Sequence, residues 1–144
     1  MFEAVKEKDT TKQETDLERA IKENLVPWRD PIMVNQHYMV FEDNFPVTTG
    51  HLLFVPQYNT DTEIMITFRA ALEHGHMIQR NDRCDGFNIG INYGQAAGQT
   101  VMYPHIHWIP RDLGDCHDPT GGVRGVIAGQ ANYRSKKYRK PRND

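Results

Sequence analysis

Two histidines one residue apart, His105 and His107, stand in the stretch GQTVMYPHIHWIPR, between bulky apolar residues, with Tyr103 two positions before them. Imidazoles in this setting can do three things. A neutral ring nitrogen can attack an electrophilic centre, with a neighbour on the same face stabilising charge. Two imidazoles at i and i+2, with a distant third ligand such as His51, can hold zinc. Or the pair can simply decorate a half-exposed strand. Side chains alternate faces along a strand, so Tyr103, His105 and His107 are expected on one face of a strand over 101–110. Met102, Pro104, Ile106 and Trp108 are expected on the other, toward the core. Pro104 cannot donate to a ladder, so the strand should be an edge or irregular there. The histidine face should then open into a cleft or solvent. The pair by itself leaves all three chemistries open.

The elements that must position these residues are legible upstream. Residues 1–13 are polar and expected to be flexible. ETDLERAIKENLV places Leu17, Ile21 and Leu25 at helical spacing, with acids early and Pro27 as a stop. IMVNQHYMVFEDNF reads as two short strands around Asn35 and Gln36, and TTGHLLFVPQY as a strand entered by Gly50 and closed by Pro56. DTEIMITFRAALEHGHMIQR reads as the main helix, with Ile64, Phe68, Leu72 and Gly75 or His76 on one stripe. Gly75 costs about 1 kcal/mol against alanine in a helix, which points to close packing or a late break. GFNIGINYG alternates Phe87, Ile89 and Ile91 against Asn88, Gly90 and Asn92, a strand pattern. Antiparallel strands with one long helix and few crossovers argue an α+β fold.

The chain has 144 residues and a formal net charge of -2. One domain over 14–127 follows from that length, followed by a basic tail over 128–144. The charge balance gives no reason to expect nucleic-acid wrapping or membrane attraction. No apolar run approaches the roughly 18–20 residues of a membrane span, and MFEAVKEKDTTKQE lacks a signal-peptide core. Cys84 and Cys116 form no framework. A reducing cytoplasm is the expected location.

Several further segments stand in the order and spacing of one family. The stretch Tyr103-Pro104-His105-Ile106-His107-Trp108-Ile109 resembles the H-x-H-x-H-x-x signature of the histidine triad superfamily of nucleotide hydrolases and transferases. It is preceded by Gly98-Gln99-Thr100 and followed by Pro110-Arg111 and LGD. DNFPVTTGHLLFVP is similar to the family's D-x-x-P-x-x-x-G-H-x-L-x-x-P segment at Asp43, Pro46, Gly50, His51, Leu53 and Pro56. INYGQAAGQTV is similar to its asparagine-bearing strand and Gly-Gln turn, and DPTGGVRGVI to the C-terminal stretch of many small microbial members. The resemblance covers about residues 32 to 127, and several ordered matches are far more specific than one motif. It implies a five-stranded antiparallel sheet with one long helix and a shorter N-terminal helix, commonly in a homodimer.

The resemblance also implies roles. The middle histidine of the motif, His105, would attack the α-phosphorus of a nucleotide to give a nucleotidyl-histidine, which water then hydrolyses. Its other ring nitrogen would donate to a backbone carbonyl. His107 would hydrogen-bond a phosphate oxygen. His51, Asn92, Gln99 and Thr100 match residues near the phosphate, and Asp43 an acid that accepts from ribose hydroxyls. Tyr103 replaces the first histidine of the triad. A phenol can donate and accept but carries no positive charge near neutral pH, so rate and leaving-group chemistry are in question more than the fold.

The leading function is hydrolysis or nucleotidyl transfer at the α-phosphate of dinucleoside polyphosphates, nucleoside phosphoramidates or aminoacyl adenylates. The alternatives are a nucleotide-binding protein with little turnover, because of Tyr103, and a metal-binding module on His51, His105 and His107. The motif requires no cofactor, no dedicated metal site is expected, and a divalent metal on the substrate phosphates is compatible with it. The expected partners are the nucleotide and a second copy of the chain, Trp108 and the strand edge near Pro104 offering apolar surface. No membrane is expected, and nucleic acid only through the basic tail, Arg134 to Arg142. Cys84, Cys116 and His117 lack zinc spacing, His74 and His76 are expected on the surface, and Arg124 is placed near substrate phosphates or a dimer partner.

Overall fold

The computed structural model describes residues 13–134. The flexible segment expected over 1–13 and the basic tail expected over 128–144 therefore lie outside the described residues, apart from their inner ends. The first helix, α1 (Asp16–Lys22), is capped by Thr15, whose hydroxyl accepts from the Glu18 N–H, and carries Asp16 and Glu18 in its first turn. It ends well before Pro27, because Asn24 turns left-handed (φ 56) just past the last turn. Leu25, expected on the helix stripe, is instead outside the helix and 65% exposed. The start of α1 is tied to the sheet by the Leu17 N–H on the Gln57 carbonyl (3.0 Å) and the Thr15 hydroxyl on Gln57 Oε1 (2.8 Å).

Five antiparallel strands, β1 (Met33–Val34), β2 (Tyr38–Glu42), β3 (Leu52–Pro56), β4 (Gly86–Ile91) and β5 (Ile106–Arg111), form one sheet in the order β1-β2-β3-β5-β4. The α+β architecture and the strand count agree with the sequence reading. The β1–β2 turn is set by Asn35, whose side-chain oxygen accepts from the N–H groups of His37 and Tyr38.

The long helix α2 (Asp61–Arg80) lies on one face, over Val40, Leu52, Phe54, Ile106 and Trp108. Its innermost residues are Thr67, Ala71 and Gly75, so the buried stripe is rotated from the expected one and Leu72 is 41% exposed. Gly75 is there for close packing: a Cβ on it would sit 2.5 Å from the Phe87 ring. His74 is half-buried rather than a surface residue, its ring edge-on to Trp108 with centroids 4.5 Å apart. Burial, and secondarily the positive charge of Arg83, lowers its pKa.

The other face is shared by two coverings. Leu17, Ala20, Val26 and Trp28 pack on Phe41, Leu53 and Val55 over β2 and β3, whereas the β5–β4 half is left to loops. The last strand departs from the sequence reading in three ways. It starts at Ile106 rather than 101, so Tyr103 and His105 precede it. It runs inside the sheet between β3 and β4, the backbone being irregular around Pro104 rather than at an edge. Met102, expected in the core, is 62% exposed, while Trp108, expected to offer apolar surface to a partner, is 3% exposed. The strands that border no other on one side are β1 and β4.

Candidate active site

His105 sits in the last residue before β5, and its Nδ1 lies 2.9 Å from the Tyr103 carbonyl oxygen. A carbonyl only accepts, so Nδ1 carries the proton, and in the neutral ring Nε2 keeps its lone pair. The ring is 9% exposed and stands edge-on to Trp28, centroids 4.9 Å apart. It is therefore not the exposed strand residue that simple alternation implies. Tyr103 supplies this site with its carbonyl rather than its phenol. The hydroxyl donates to the Pro56 carbonyl at the end of β3 (2.6 Å), and the ring packs against the α1 cluster. Burial pushes the Tyr103 pKa up, so the phenol stays a neutral donor committed to the scaffold.

A second relay fixes His107. Gly50 (φ +91) turns the chain into β3 with its α-carbon close to Pro110, where a Cβ would lie 3.3 Å from the proline ring. That turn buries His51. The Val47 N–H donates to His51 Nδ1 (3.1 Å), so the proton of a neutral His51 is on Nε2. His51 Nε2 in turn lies 2.9 Å from His107 Nδ1, which must accept. The remaining proton of His107 is then on Nε2, the nitrogen free to meet a ligand. Burial, followed by the neighbouring His105 and His51, lowers the His107 pKa to about 4 against the pull of Asp43. The His51 pKa is also lowered, burial outweighing Asp43. Both rings are thus neutral near pH 7.

The eight residues singled out in the sequence separate into groups. His51, His107 and Asn92 line a cavity of about 540 Å³ on the β5–β4 half of the sheet. Asp43 turns toward the histidines: its Oδ2 is 3.4 Å from His51 Nε2 and 3.8 Å from His107 Nδ1, while Oδ1 accepts from the Phe45 N–H. Gln99 is buried and holds the loop before β5, accepting from the Gly94 N–H (2.8 Å) and donating to the Met102 carbonyl (3.1 Å). Thr100 is exposed in the same loop. His105 and Tyr103 stand behind His107, outside the cavity lining.

Residues that sequence reasoning passed over complete the cavity. Arg111 shares the parity of His107 along β5, a signal that was available. It makes a two-pronged pair with Asp115 (2.8 and 2.7 Å), donates to Asn88 Oδ1 (2.9 Å) and reaches Cys116 Sγ (3.2 Å). Hydrogen bonding from Arg111 holds the Asp115 carboxyl well below the usual carboxylate range. Nothing in the sequence singles out Trp28 as the neighbour of His105. Arg124 turns to the Ala131 carbonyl (3.2 Å) and the Tyr133 ring.

Among the described residues, one group has metal-ligand spacing: Asp43, His51 and His107. It contains neither His105 nor Cys84, Cys116 and His117. Its atom separations of 2.9, 3.4 and 3.8 Å bracket the edge of about 3.3 Å expected between ligands of a tetrahedral zinc. The Val47 N–H aimed at His51 Nδ1 opposes that use, because it keeps the proton on the nitrogen that would have to ligate.

A five-stranded antiparallel α+β fold with an imidazole pair at the head of an inner strand is one level of definition. The next comes from likeness: residues 29–114 match the HIT domain model, and the chain belongs to the HIT family. It is 31% identical over 115 residues to the nitrilase and fragile histidine triad fusion protein NitFhit of Caenorhabditis elegans, covering 75% of this chain and 25% of that one. It is 34% identical over 77 residues to the asymmetrical bis(5'-nucleosyl)-tetraphosphatase of Schizosaccharomyces pombe, covering 49% and 42%. The chain thus spans about a quarter of the first of these relatives and about two fifths of the second. Among solved structures, a zinc-bound histidine triad family protein from Mycobacterium smegmatis superposes with a TM-score of 0.53 at 31% identity, over 59% of this chain and 67% of that one. Among the described residues no helix is long and apolar enough to cross a membrane.

Proposed function

We propose that the protein is a nucleotide hydrolase or nucleotidyl transferase acting at the α-phosphate, through a covalent intermediate on His105. The observation that carries the reading is the pair of opposite tautomers, a lone pair on His105 Nε2 and an N–H on His107 Nε2, set by the Tyr103 carbonyl and by His51. His105 Nε2 attacks the α-phosphorus, an N–P bond forms, and the bond from phosphorus to the leaving group breaks with its electron pair on the leaving group. His107 Nε2–H donates to a non-bridging phosphate oxygen. Water then attacks the same phosphorus, the N–P bond breaks, and the nucleoside monophosphate leaves while His105 recovers its lone pair. Dinucleoside polyphosphates and nucleoside phosphoramidates are the substrate classes, in keeping with the name of the Schizosaccharomyces pombe relative. No cofactor is needed for these steps, and a divalent metal on the substrate phosphates is compatible with them.

In this reading Tyr103 and Gln99 act as positioning residues, Asn92 lines the substrate cavity, and Thr100 is left to the loop. Asp43 serves the histidine relay in the free protein, and ribose hydroxyls compete for it when a nucleotide is bound. The protein works as a cytoplasmic homodimer, with the bare β4 edge as the surface to pair.

The test is acid-labile labelling. Protein mixed with an α-labelled adenosine phosphoramidate or diadenosine polyphosphate and quenched in base should carry label, and His105→Ala should carry none. Removing a covalent nucleophile costs several orders of magnitude in rate, as in other covalent enzymes. Retention of most of the activity in His105→Ala would sink the mechanism. The burial of His105 behind Trp28 favours one second reading, a nucleotide-binding protein with slow turnover. Tight binding of AMP without label transfer would select it.

A further inference from the structure

Met33, Val40, Phe54 and Ile106 stand in register across the sheet on the face that α2 covers. The helix packs over β3, β5 and β4, and Gly75 brings its second half against Phe87 on β4. The row is therefore closed at one end and open at the other. Ile106, Phe54 and Val40 are 0%, 3% and 2% exposed, whereas Met33 on the edge strand β1 is 51% exposed. Between that edge and the flank of α2 that carries Ala70, His74 and Met77 lies a second cavity, of about 420 Å³. It is on the opposite face of the sheet from His107, because neighbours alternate along β5 and Trp108 belongs to the α2 cluster.

Rings and thioethers make up its walls. Tyr38 and His74 both stand against Phe54, with centroids 5.9 and 5.6 Å away, and Met33 and Met77 are half-exposed lining residues. Tilted rings and soft sulfur atoms favour a flat aromatic guest over an alkyl chain. The polar groups lie along α2. His74 is half-buried and makes no hydrogen bond among the described residues, while Glu73 spends its carboxylate on Arg69 (3.1 Å). Arg80 lines the cavity, is exposed, and pairs with no carboxylate among the described residues. A free guanidinium beside an apolar cavity suits a carboxylate, which it can grip with two parallel hydrogen bonds.

We propose that this cavity is a second ligand site, for a small aromatic carboxylate: the ring enters between Tyr38, Phe54 and Met77, and the carboxylate meets Arg80 and accepts a hydrogen bond from the His74 ring. The site is independent of the nucleotide reading and stands or falls without it. A volume of about 420 Å³ is within the range of small-molecule sites. His74 also connects the site to a built-in reporter. Its ring is edge-on to Trp108, centroids 4.5 Å apart, and the Trp108 indole N–H is buried with no hydrogen-bond partner among the described residues. The second tryptophan, Trp28, lies on the other face of the sheet.

The test titrates the full chain with 2-naphthoate and with the neutral 2-naphthylmethanol, followed by amide and indole NMR shifts. Naphthoate should bind with a Kd of about 1 mM or below. Shifts should gather at Ile32, Ala70, Met77 and the Trp108 indole N–H, and the Trp28 indole should stay in place. Arg80 and Ile32 are exposed, so Arg80→Gln and Ile32→Glu should both fold. Arg80→Gln should weaken naphthoate about fivefold, the upper end for an exposed ion pair, and leave the alcohol within about twofold. Ile32→Glu, which sets a carboxylate at the rim, should weaken naphthoate and spare the alcohol. Shifts confined to Ile109 and Val123 would place the ligand in the other cavity and overturn the site, as would the absence of any shift up to about 10 mM, tenfold above that Kd. Equal affinity for acid and alcohol, or naphthoate affinity unchanged in Arg80→Gln, would overturn the carboxylate assignment.

Discussion

His51 Nε2 lies 2.9 Å from His107 Nδ1, and the backbone N–H of Val47 on the far side of His51 decides which of the two holds the proton. The relay predicts opposite tautomers in neighbouring rings. Nitrogen-15 NMR at pH 7 should find His107 protonated on Nε2 and His105 on Nδ1. His51→Ala removes the donor to His107 and should lower the single-turnover rate about tenfold, the worth of one hydrogen bond of about 1.4 kcal/mol. A cationic His107, or one protonated on Nδ1, would show that the relay does not operate in solution.

Acid should destabilise the protein before most carboxylates titrate. The His107 pKa is about 4 in the folded protein against an ordinary 6.5, so between those values the unfolded chain binds the extra proton. Stability is fully present above about pH 6.5 and is lost as pH falls toward 4. The His51 and His74 shifts have the same sign. Urea unfolding measured from pH 7 to 4.5 should show a falling ΔG, and His107→Gln should flatten the slope by up to about 1.4 kcal/mol per pH unit. An unchanged slope in that variant would show that His107 titrates normally.

Tyr103 is expected to matter for stability first. Its hydroxyl donates to the Pro56 carbonyl at 2.6 Å and does not reach the histidines' side of the loop. Tyr103→Phe should cost about 1–2 kcal/mol and should lower the rate only through looser placement of the carbonyl that holds His105. Tyr103→His is too short to reach Pro56, so it should lose the same stability rather than restore a triad. The check is chemical denaturation beside single-turnover rates on one adenylated substrate. A large rate loss at unchanged stability would mean that the phenol acts in the chemistry.

Gly75→Ala tests the fit of α2 on the sheet. Helix propensity favours alanine by about 1 kcal/mol, but its methyl would meet the Phe87 ring at 2.5 Å. Overpacking costs typically 1–3 kcal/mol, so the variant should be less stable than the wild type. The double variant Gly75→Ala/Phe87→Leu should recover part of the loss, which denaturation curves for the four proteins would show. A stabilised Gly75→Ala would mean that the ring moves aside at little cost.

The sequence alone determined the elements and the family. The span of α2, the alternation in β4, the hairpin around Asn35 and the ordered segments from Asp43 to Arg111 are local patterns, carried by periodicity, caps and turns that act within a few residues. It also determined that His105 and His107 are the residues to watch. Tertiary structure decided what surrounds them. Alternation put Tyr103, His105 and His107 on one exposed face, but the strand begins only at Ile106, so the backbone around Pro104 follows its own path. Strand parity cannot say that Trp28, 77 positions away in sequence, closes over His105, or that Tyr103 turns its phenol to Pro56. Nor can it say that Arg111 turns to Asp115 and closes its guanidinium in an ion pair at the cavity end. Such contacts depend on how α1 and the loops pack on two halves of one sheet face, and packing between distant segments leaves no periodic trace in either of them.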